Sequence, residues 1–305
     1  MSSAPKPSRI RFLAFLPAIL LLSGCTGAVL DPSGDVAARQ RDLLVQSTLL
    51  MLVIIIPVIC LTVWYAWKYR ASNRAARYEP NWHHSTRLEL VIWAAPLLII
   101  ICLGALTWLG THLLDPYRPL DRIAPGEPVP EEAKPLRVQV VALDWKWLFI
   151  YPEYGIATVN EMTVPLNRPI SLQITASNVM NSLFIPHFAG QIYAMPAMET
   201  RLNGVVNRPV EGEGFSANYS GAGFSGMRFG FHGVTDAEFE TWIRKVRGSD
   251  LELTREAYLQ LARPSEREPV RHFASTDASL YHDILNLCVQ PGTSCTGAGH
   301  TMAHH

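Results

Sequence analysis

The chain has 305 residues, 49% of which are hydrophobic, and its 26 basic side chains are balanced by 26 acidic ones. This neutral overall charge gives no indication of nucleic acid or of an acidic substrate as a partner. The length is sufficient for a membrane segment and one or two modest domains, and the hydrophobic excess is concentrated before residue 115.

Residues 1–24 have the order of a secretory signal, because three basic side chains precede the apolar run Phe12–Leu22, which is too short to span a membrane comfortably. The run ends in the tetrapeptide Leu-Ser-Gly-Cys. This tetrapeptide resembles the bacterial lipobox, whose cysteine receives a diacylglyceryl group and becomes the mature N-terminus. We expect Cys25 to be lipidated, with residues 25–42 as the first segment of the mature chain. The alternative is an uncleaved anchor with an incidental cysteine.

Two uncharged runs of 25 residues, Leu43–Trp67 and Leu90–Leu114, are each long enough for a helix to cross a membrane. The connection between them, residues 68–89, carries five basic side chains, whereas both outer flanks mix positive and negative charges. The positive-inside rule places this connection in the cytoplasm. We therefore expect a hairpin in a bacterial inner membrane, with everything after residue 115 in the periplasm.

Glu89 stands at the start of the second predicted span, directly before the apolar run. One interpretation is structural, because a carboxylate is stabilised at the N-terminus of a helix by the helix dipole. The other is functional, because an ionisable group at the edge of a membrane helix can open a proton path. The residues alone leave both interpretations open.

The part of the chain after the hairpin is predicted to be a β-sandwich with a helical extension. Residues 115–135 form a proline-rich linker, and residues 136–233 contain short runs of β-favouring residues separated by Gly, Pro and Asn, which is typical of a Greek-key sandwich. A glycine-rich loop, Gly212–Met227, lies between two of these runs. Residues 234–287 are predicted to be helical, with a capping box that begins at Thr235. The predicted strands are Leu136–Leu143, Leu148–Tyr151, Ala157–Val164, Ile170–Ala176, Ser182–Pro186, Met198–Leu202 and Met227–Phe231, and the predicted helices are Thr235–Val246, Thr254–Leu261 and Ala278–Leu287.

Cys288 and Cys295 flank a turn-prone segment in the tail, residues 288–305. In an oxidising periplasm a local disulfide between them is the expected state. A metal site is the alternative, because sulfur and imidazole ligands suit copper. Its further ligands would be His300, Met302, His304 and His305.

Several motifs join the lipobox and the hairpin in a resemblance to one family. They lie at Asp144–Glu153, Gly155–Glu161, Asn178–Ser182 and Tyr219–Met227. With the hairpin, these segments resemble subunit II of the haem–copper oxidases, and within that family the ubiquinol oxidases of cytochrome bo type. The resemblance runs from the lipobox to about residue 285 and implies a cupredoxin-like fold for the sandwich.

In the cytochrome c oxidases of this family, the cupredoxin-like domain holds a dinuclear copper centre. The motif places its two bridging cysteines on Ser216 and Ser220, and only Met227 retains a ligand type. A serine hydroxyl cannot replace a bridging thiolate, so we expect this chain to bind no metal. The remaining ligand positions are Asn181 and Phe224 for the two histidines and Asn218 for the carbonyl donor.

The resemblance implies a subunit of a proton-pumping ubiquinol oxidase, an enzyme complex that oxidises ubiquinol and reduces dioxygen to water. Two haems and one copper would reside in the catalytic subunit I, and the partners would be subunit I, smaller subunits and membrane lipid. Cytochrome c would not be a partner, because a quinol dissolved in the membrane needs no copper relay. Glu89 matches the family's carboxylate at the cytoplasmic entrance of a proton-uptake channel, and this channel is shared with subunit I. The alternative is a periplasmic copper-binding or copper-delivery lipoprotein, against which the two-span hairpin argues.

Overall fold

The computed structural model describes residues 27–77 and 79–295. Its first two elements are the helices α1, Asp35–Lys68, and α2, Thr86–Leu113. Both are long and apolar enough to cross a membrane. Each contains most or all of one predicted span and begins earlier, α1 because its first turns are stabilised by an ion pair between Asp35 and Arg39, 2.8 Å apart.

Two sheets form a sandwich after the hairpin. One sheet has the order β10-β7-β3-β4-β5-β14 and the other the order β6-β12-β11-β8-β9; β3 pairs with β7, and β12 with β6, in parallel, and the other neighbours are antiparallel. The predicted fold class, a two-helix hairpin plus a cupredoxin-like sandwich with a short helical extension, is confirmed. The strands are β1 Arg122–Ala124, β2 Glu127–Pro128, β3 Leu136–Leu143, β4 Lys146–Tyr151, β5 Ile156–Val159, β6 Glu161–Pro165, β7 Ile170–Ala176, β8 Asn181–Phe184, β9 Gln191–Ala194, β10 Thr200–Gly204, β11 Val210–Ser216, β12 Arg228–Val234, β13 Glu252–Leu253, β14 Arg271–Phe273 and β15 Ser275–Thr276.

The six-stranded sheet is buried on both faces. Val138, Val140 and Phe149 belong to the core between the sheets, whereas Val141 and Leu148 belong to a second cluster on the outer face. The helical extension supplies the other side of that second cluster. This explains why the second half of β3, Val140–Leu143, and all of β4 after Lys146 are apolar on both faces. The three predicted helices of the extension are confirmed as α3 Asp236–Arg247, α4 Arg255–Leu261 and α5 Leu280–Leu285.

The extension also contributes β14, which pairs with β5 at the edge of the six-stranded sheet. Sequence reasoning missed this strand, as it missed the short β9. It also predicted one strand over Ala157–Val164, and this prediction was wrong. Asn160 has a positive φ of 56° there and divides the run into β5 and β6, which belong to different sheets.

The glycine-rich segment Gly212–Met227 is only partly a loop. Its first residues, up to Ser216, belong to β11, which pairs with both β8 and β12. The glycines make the segment look like a loop in the sequence, yet Gly214 lies directly under the ring of Phe229, where any side chain would overlap the ring. The strand therefore needs glycine for packing. The loop proper spans residues 217–227 and contains a 3-10 turn, Phe224–Gly226.

The proline-rich linker does not separate the hairpin from the sandwich but packs on it. Asn207 donates from Nδ2 to the carbonyl of Ile123 at 2.8 Å, which fixes the small β1–β2 hairpin. Arg122 donates two hydrogen bonds of 3.0 Å to the buried carboxylate of Asp35 at the start of α1. The backbone of Gly34 donates to the carbonyl of His187 at 2.9 Å. These bonds fix the N-terminal end of α1 to the linker and to the sandwich.

Candidate functional site

The positions that correspond to copper ligands come together at one end of the sandwich. Asn181 begins β8 and Ser216 ends β11, and the two strands are paired neighbours. Ser216 Oγ donates to Asn181 Oδ1 at 3.1 Å, and the two residues are only 3% and 1% exposed. Asn181 Nδ2 donates to the carbonyl of Val179 at 3.1 Å, which turns the amide oxygen towards the serine. A hydrogen-bonded pair stands at two of the ligand positions.

The carbonyl and methionine positions adjoin this pair. The carbonyl of Asn218 lies 3.3 Å from Ser216 Oγ and is a second acceptor for the same hydroxyl. Asn218 Nδ2 donates to the carbonyl of Met180, also at 3.3 Å. The backbone of Ser216 donates to the carbonyl of Met227 at 3.2 Å, and the Met227 side chain is buried in the core between the sheets. The methionine therefore serves as a packing residue here.

Trp145 holds the rest of the loop. Its indole nitrogen donates to the carbonyl of Ser220 at 3.0 Å. A Cβ atom on Gly223 would lie 2.5 Å from this indole, so only glycine allows the ring to pack so closely on the loop. The Phe224 ring packs edge-on against Tyr219, with ring centroids 5.7 Å apart. Ser220 Oγ is buried and has no hydrogen-bond partner among residues 27–77 and 79–295.

These donors do not fit a dinuclear copper centre. The six positions offer two hydroxyls, two amides, a phenyl ring and one thioether, and none offers a thiolate or an imidazole. His187 and His232 do not supply one either, because both lie beside the other end of β11, next to Gly212 and Glu211. His187 Nδ1 lies 3.2 Å from the carbonyl of Asp31, and His232 Nε2 lies 3.9 Å from a Glu161 carboxylate oxygen, so each is engaged elsewhere.

Within the described part of the chain, one group of three metal-ligating side chains is close enough to hold an ion: Asp283, Cys288 and Cys295. The two cysteines are joined by a disulfide, with their Cα atoms 4.7 Å apart. Their sulfur atoms are therefore bonded to each other in this structure. The histidines of the tail lie outside the described residues, as does Cys25.

Lys146 connects the Trp145 segment to the helical extension. The lysine is almost fully buried, and its Nζ donates to the carbonyl of Arg263 at 2.8 Å and to Ser265 Oγ at 2.6 Å. Burial lowers the pKa of Lys146, an effect opposed by the negative charges of Glu268 and Asp144. The turn that carries Trp145, between β3 and β4, is thus anchored to the helical extension by a buried cation at the first residue of β4.

Glu89 lies far from this loop in the fold, in the first turn of α2. Its Oε1 atom is 2.7 Å from Nδ1 of His84, and both side chains are at least half exposed. His84 also lies 3.2 Å from Thr86 Oγ1 through its other ring nitrogen. Sequence reasoning missed this partner. The available signal was a histidine five residues before the carboxylate, in the short segment leading into the helix.

A family model described as "COX Aromatic Rich Motif" matches residues 247–292. This interval contains α4 and α5, which cover the outer face of the six-stranded sheet, and β14, which forms one edge of that sheet. It extends through Cys288, slightly beyond the end of the resemblance seen in the sequence.

Curated relatives match nearly the whole chain. Cytochrome bo(3) ubiquinol oxidase subunit 2 from Pseudomonas aeruginosa is 46% identical over 300 residues, which cover 98% of this chain and 87% of that protein. The protein of the same description from Pseudomonas putida is 48% identical over 286 residues, covering 94% and 88%. Among solved structures, the periplasmic domain of subunit II of cytochrome oxidase from Bradyrhizobium japonicum is similar at 23% identity over 36% of this chain and 91% of that chain, with a TM-score of 0.35.

The hairpin, the cupredoxin-like sandwich and a ligand loop that does not fit copper together define the class, a membrane-anchored oxidase subunit II of the quinol type. Two relatives above 45% identity span more than nine tenths of the sequence. The chain belongs to the family of cytochrome bo(3) ubiquinol oxidase subunit 2.

Proposed function

We propose that this chain is subunit II of a terminal ubiquinol oxidase, which oxidises ubiquinol, reduces dioxygen to water and pumps protons. The main support for this proposal is the match of nearly the whole chain to relatives named for that activity. The haems and the copper of the oxygen site belong to subunit I in this proposal, because the ligand loop of this chain offers no thiolate or imidazole. Partners are subunit I, smaller subunits and membrane lipid.

The sandwich serves in assembly and not in electron transfer. The loop that contains the copper-ligand positions, residues 217–227, is held in place by the Ser216–Asn181 hydrogen bond and by Trp145. None of its side chains is a redox group. Electrons would pass from ubiquinol to subunit I within the bilayer, so cytochrome c has no docking role. The bonds that join the start of α1 to the linker, through Asp35 and Arg122, and to the sandwich, through Gly34 and His187, support a rigid structural subunit.

In the membrane, α1 and α2 cross the bilayer as a hairpin and the connecting residues 68–89 face the cytoplasm. The five basic residues of the connection support this orientation. The sandwich and its extension, residues 136–287, are then periplasmic. We further propose that residues 1–24 are removed and that Cys25 carries the lipid.

Purification of the tagged protein in mild detergent tests the assignment against the copper-lipoprotein alternative. We expect subunit I, its haem spectra and ubiquinol oxidase activity to accompany the chain. Isolation of a haem-free monomer that binds copper stoichiometrically would contradict the proposal and support the alternative.

Glu89 is the proton-uptake residue in this proposal. Its support is the position of the carboxylate in the first turn of α2, at the cytoplasmic edge of the membrane, with an ionisable partner in contact. Glu89→Gln keeps the shape of the side chain but removes the titrating group. We expect a loss of turnover of about tenfold or more in the assembled oxidase, measured as oxygen consumption and proton uptake.

Glu79→Gln is the matched control, because Glu79 lies in the same connection but pairs with Arg77 at 2.6 Å. This control is expected to keep normal turnover. Wild-type turnover and proton uptake in an assembled Glu89→Gln enzyme would refute the assignment of Glu89.

A further inference from the structure

The segment before α2 places an imidazole in direct contact with the proposed proton-uptake carboxylate. His84 Nδ1 is 2.7 Å from Glu89 Oε1, which is a short, charge-assisted hydrogen bond when the histidine is protonated. The other ring nitrogen lies 3.2 Å from Thr86 Oγ1, so the ring is held at both ends. Its side chain remains more than half exposed, which leaves it open to water.

Histidine is suited to collecting protons where a carboxylate alone is not. An imidazole gains and loses a proton close to neutral pH, whereas an ordinary exposed carboxylate is almost always ionised there and captures protons only briefly. A carboxylate with a histidine on its water side therefore has a proton at hand more of the time than a carboxylate facing water alone.

We propose that His84 is the proton-collecting residue that loads Glu89, an inference that rests on the proposed role of Glu89. The transfer starts from the form of the pair in which both ring nitrogens of His84 carry a proton and Glu89 is ionised. The Nδ1 proton passes to Glu89 Oε1, which leaves a neutral imidazole and a neutral carboxylic acid. Glu89 passes its proton inward and becomes a carboxylate again, and His84 regains a proton from cytoplasmic water. Charge and protons balance over this cycle.

The other charged groups of the connection do not replace His84 in this role. Arg87 belongs to the same turn of α2 but, as a guanidinium, does not exchange its proton near neutral pH. Glu79 is paired with Arg77. The remaining basic residues of this connection are Lys68, Arg70 and Arg74, whose side chains also keep their protons near neutral pH.

His83 is a natural control, because it is the same residue type one position earlier. Its Nδ1 atom lies 2.7 Å from the carbonyl of Asn81, and no contact with Glu89 is present in the described structure. A general effect of removing a histidine from this surface should therefore occur in His83→Gln as well. An effect specific to the contact with Glu89 should not.

The test uses the assembled oxidase in liposomes, with His84→Gln, His83→Gln, Glu89→Gln and the His84→Gln/Glu89→Gln double variant. A glutamine at position 84 can still donate a hydrogen bond to Glu89 but cannot titrate. We expect His84→Gln to slow turnover roughly threefold to tenfold at pH 8 and less at pH 6, where water loads Glu89 directly. His83→Gln should match the wild type, and the double variant should be no slower than Glu89→Gln.

Chemical rescue gives a second measurement that a purely structural role would not affect. In His84→Ala, free imidazole in the cytoplasm-side buffer should restore turnover, and it should not restore Glu89→Gln. If Glu89→Gln is slow but His84→Gln is normal at every pH, the inference is overturned while the role of Glu89 stands. If Glu89→Gln itself is normal, the proposed role of Glu89 fails and the inference fails with it.

Discussion

The ligand-position loop, residues 217–227 with Asn181 and Ser216, and the cytoplasmic connection, residues 68–89, are opposites in construction. The loop is built like a metal site: Asn181, Ser216 and Met227 are buried, and Trp145 and the Ser216–Asn181 bond hold its shape. The connection has little packing, and its main feature is an exposed contact between two titratable side chains. In this family member, the well-formed region offers no set of copper ligands, and we propose that the loosely packed region carries the proton chemistry.

The difference follows from the groups each region contains. A hydroxyl and an amide are neutral, so they can be buried in a sandwich at low cost when they bond to each other. A carboxylate that must gain and lose a proton has to stay in contact with water or with another titratable group. Shape is therefore preserved where neutral polar groups bond to each other, and the proposed proton uptake lies where titratable groups stay open to water.

Restoring the copper ligands tests whether the loop has kept the shape of a metal site, and it carries the largest expected effect. The variant combines Asn181→His, Ser216→Cys, Ser220→Cys and Phe224→His and retains Met227. We expect it to bind about two copper ions per chain, because thiolates and imidazoles are the ligands that copper prefers. Copper is measured by elemental analysis and visible absorption after loading under reducing conditions.

The matched control carries the two histidine substitutions but keeps both serines, and it is expected to bind no copper at this site because the bridging thiolates are missing. A four-substitution variant that folds and yet takes up no copper would show that the loop has lost the geometry along with the ligands. The loop and the cytoplasmic connection would then differ in the chemistry of their side chains and not in the preservation of a metal-site shape.

Gly223→Val tests how tightly Trp145 holds the loop. A Cβ atom at this position would lie 2.5 Å from the indole and 2.8 Å from Glu266, so the ring must move. We expect a loss of about 1–3 kcal/mol in the free energy of unfolding, as for other overpacked sites. Thermal unfolding of the purified chain in detergent is the measurement.

Gly226→Ala is the control within the same turn, since its new Cβ would make only one contact, at 3.4 Å. The same melting temperature for Gly223→Val and wild type would mean that the indole does not pack on the loop as described. Substitutions at Glu89 or His84, in the exposed cytoplasmic connection, should leave the melting temperature unchanged.

Much of the fold is readable from local patterns. The β3 and β7 runs were predicted with their observed ends, because strands buried against a sandwich core are marked by β-branched residues between turn signals. The α3 helix was predicted from a capping box, which the structure forms between Thr235 and Glu238. Both signals are local, and the structure realises them locally.

What was missed depends on contacts distant in sequence. Strand β11 was missed because Gly212 and Gly214 favour a loop in the sequence. Their role is to allow close packing of side chains from elsewhere in the chain, which only the structure shows. The proline-rich segment was predicted only as a linker between the hairpin and the sandwich, yet Asn207, about 80 residues later, bonds to it. At the site, the family resemblance gave the ligand positions, but the His84–Glu89 contact depends on how the segment before α2 turns back.

Lys146 gives the smallest expected effect and tests whether a titratable group inside the sandwich behaves differently from one on the cytoplasmic connection. Because burial lowers the pKa of Lys146 below its ordinary value of 10.5, the folded chain releases this proton at a lower pH than the unfolded chain does. The cost of burying the ammonium is present in full below the folded-state pKa. As pH rises from that pKa towards 10.5, the unfolded chain binds more protons, so the free energy of unfolding rises.

Lys146→Met removes this titration, together with the bonds to Arg263 and Ser265. Near neutral pH we expect the variant to lie within about 1 kcal/mol of wild type, because the avoided desolvation offsets the lost hydrogen bonds. Towards pH 10 the wild type should gain stability relative to the variant, measured as the difference in melting temperature. The exposed Lys245→Met should show no such trend, and a flat or falling Lys146 difference would mean that the ammonium is not destabilised by burial. In that case burial would not change the contribution of Lys146 to stability. Burial would then not explain the difference between the sandwich and the cytoplasmic connection.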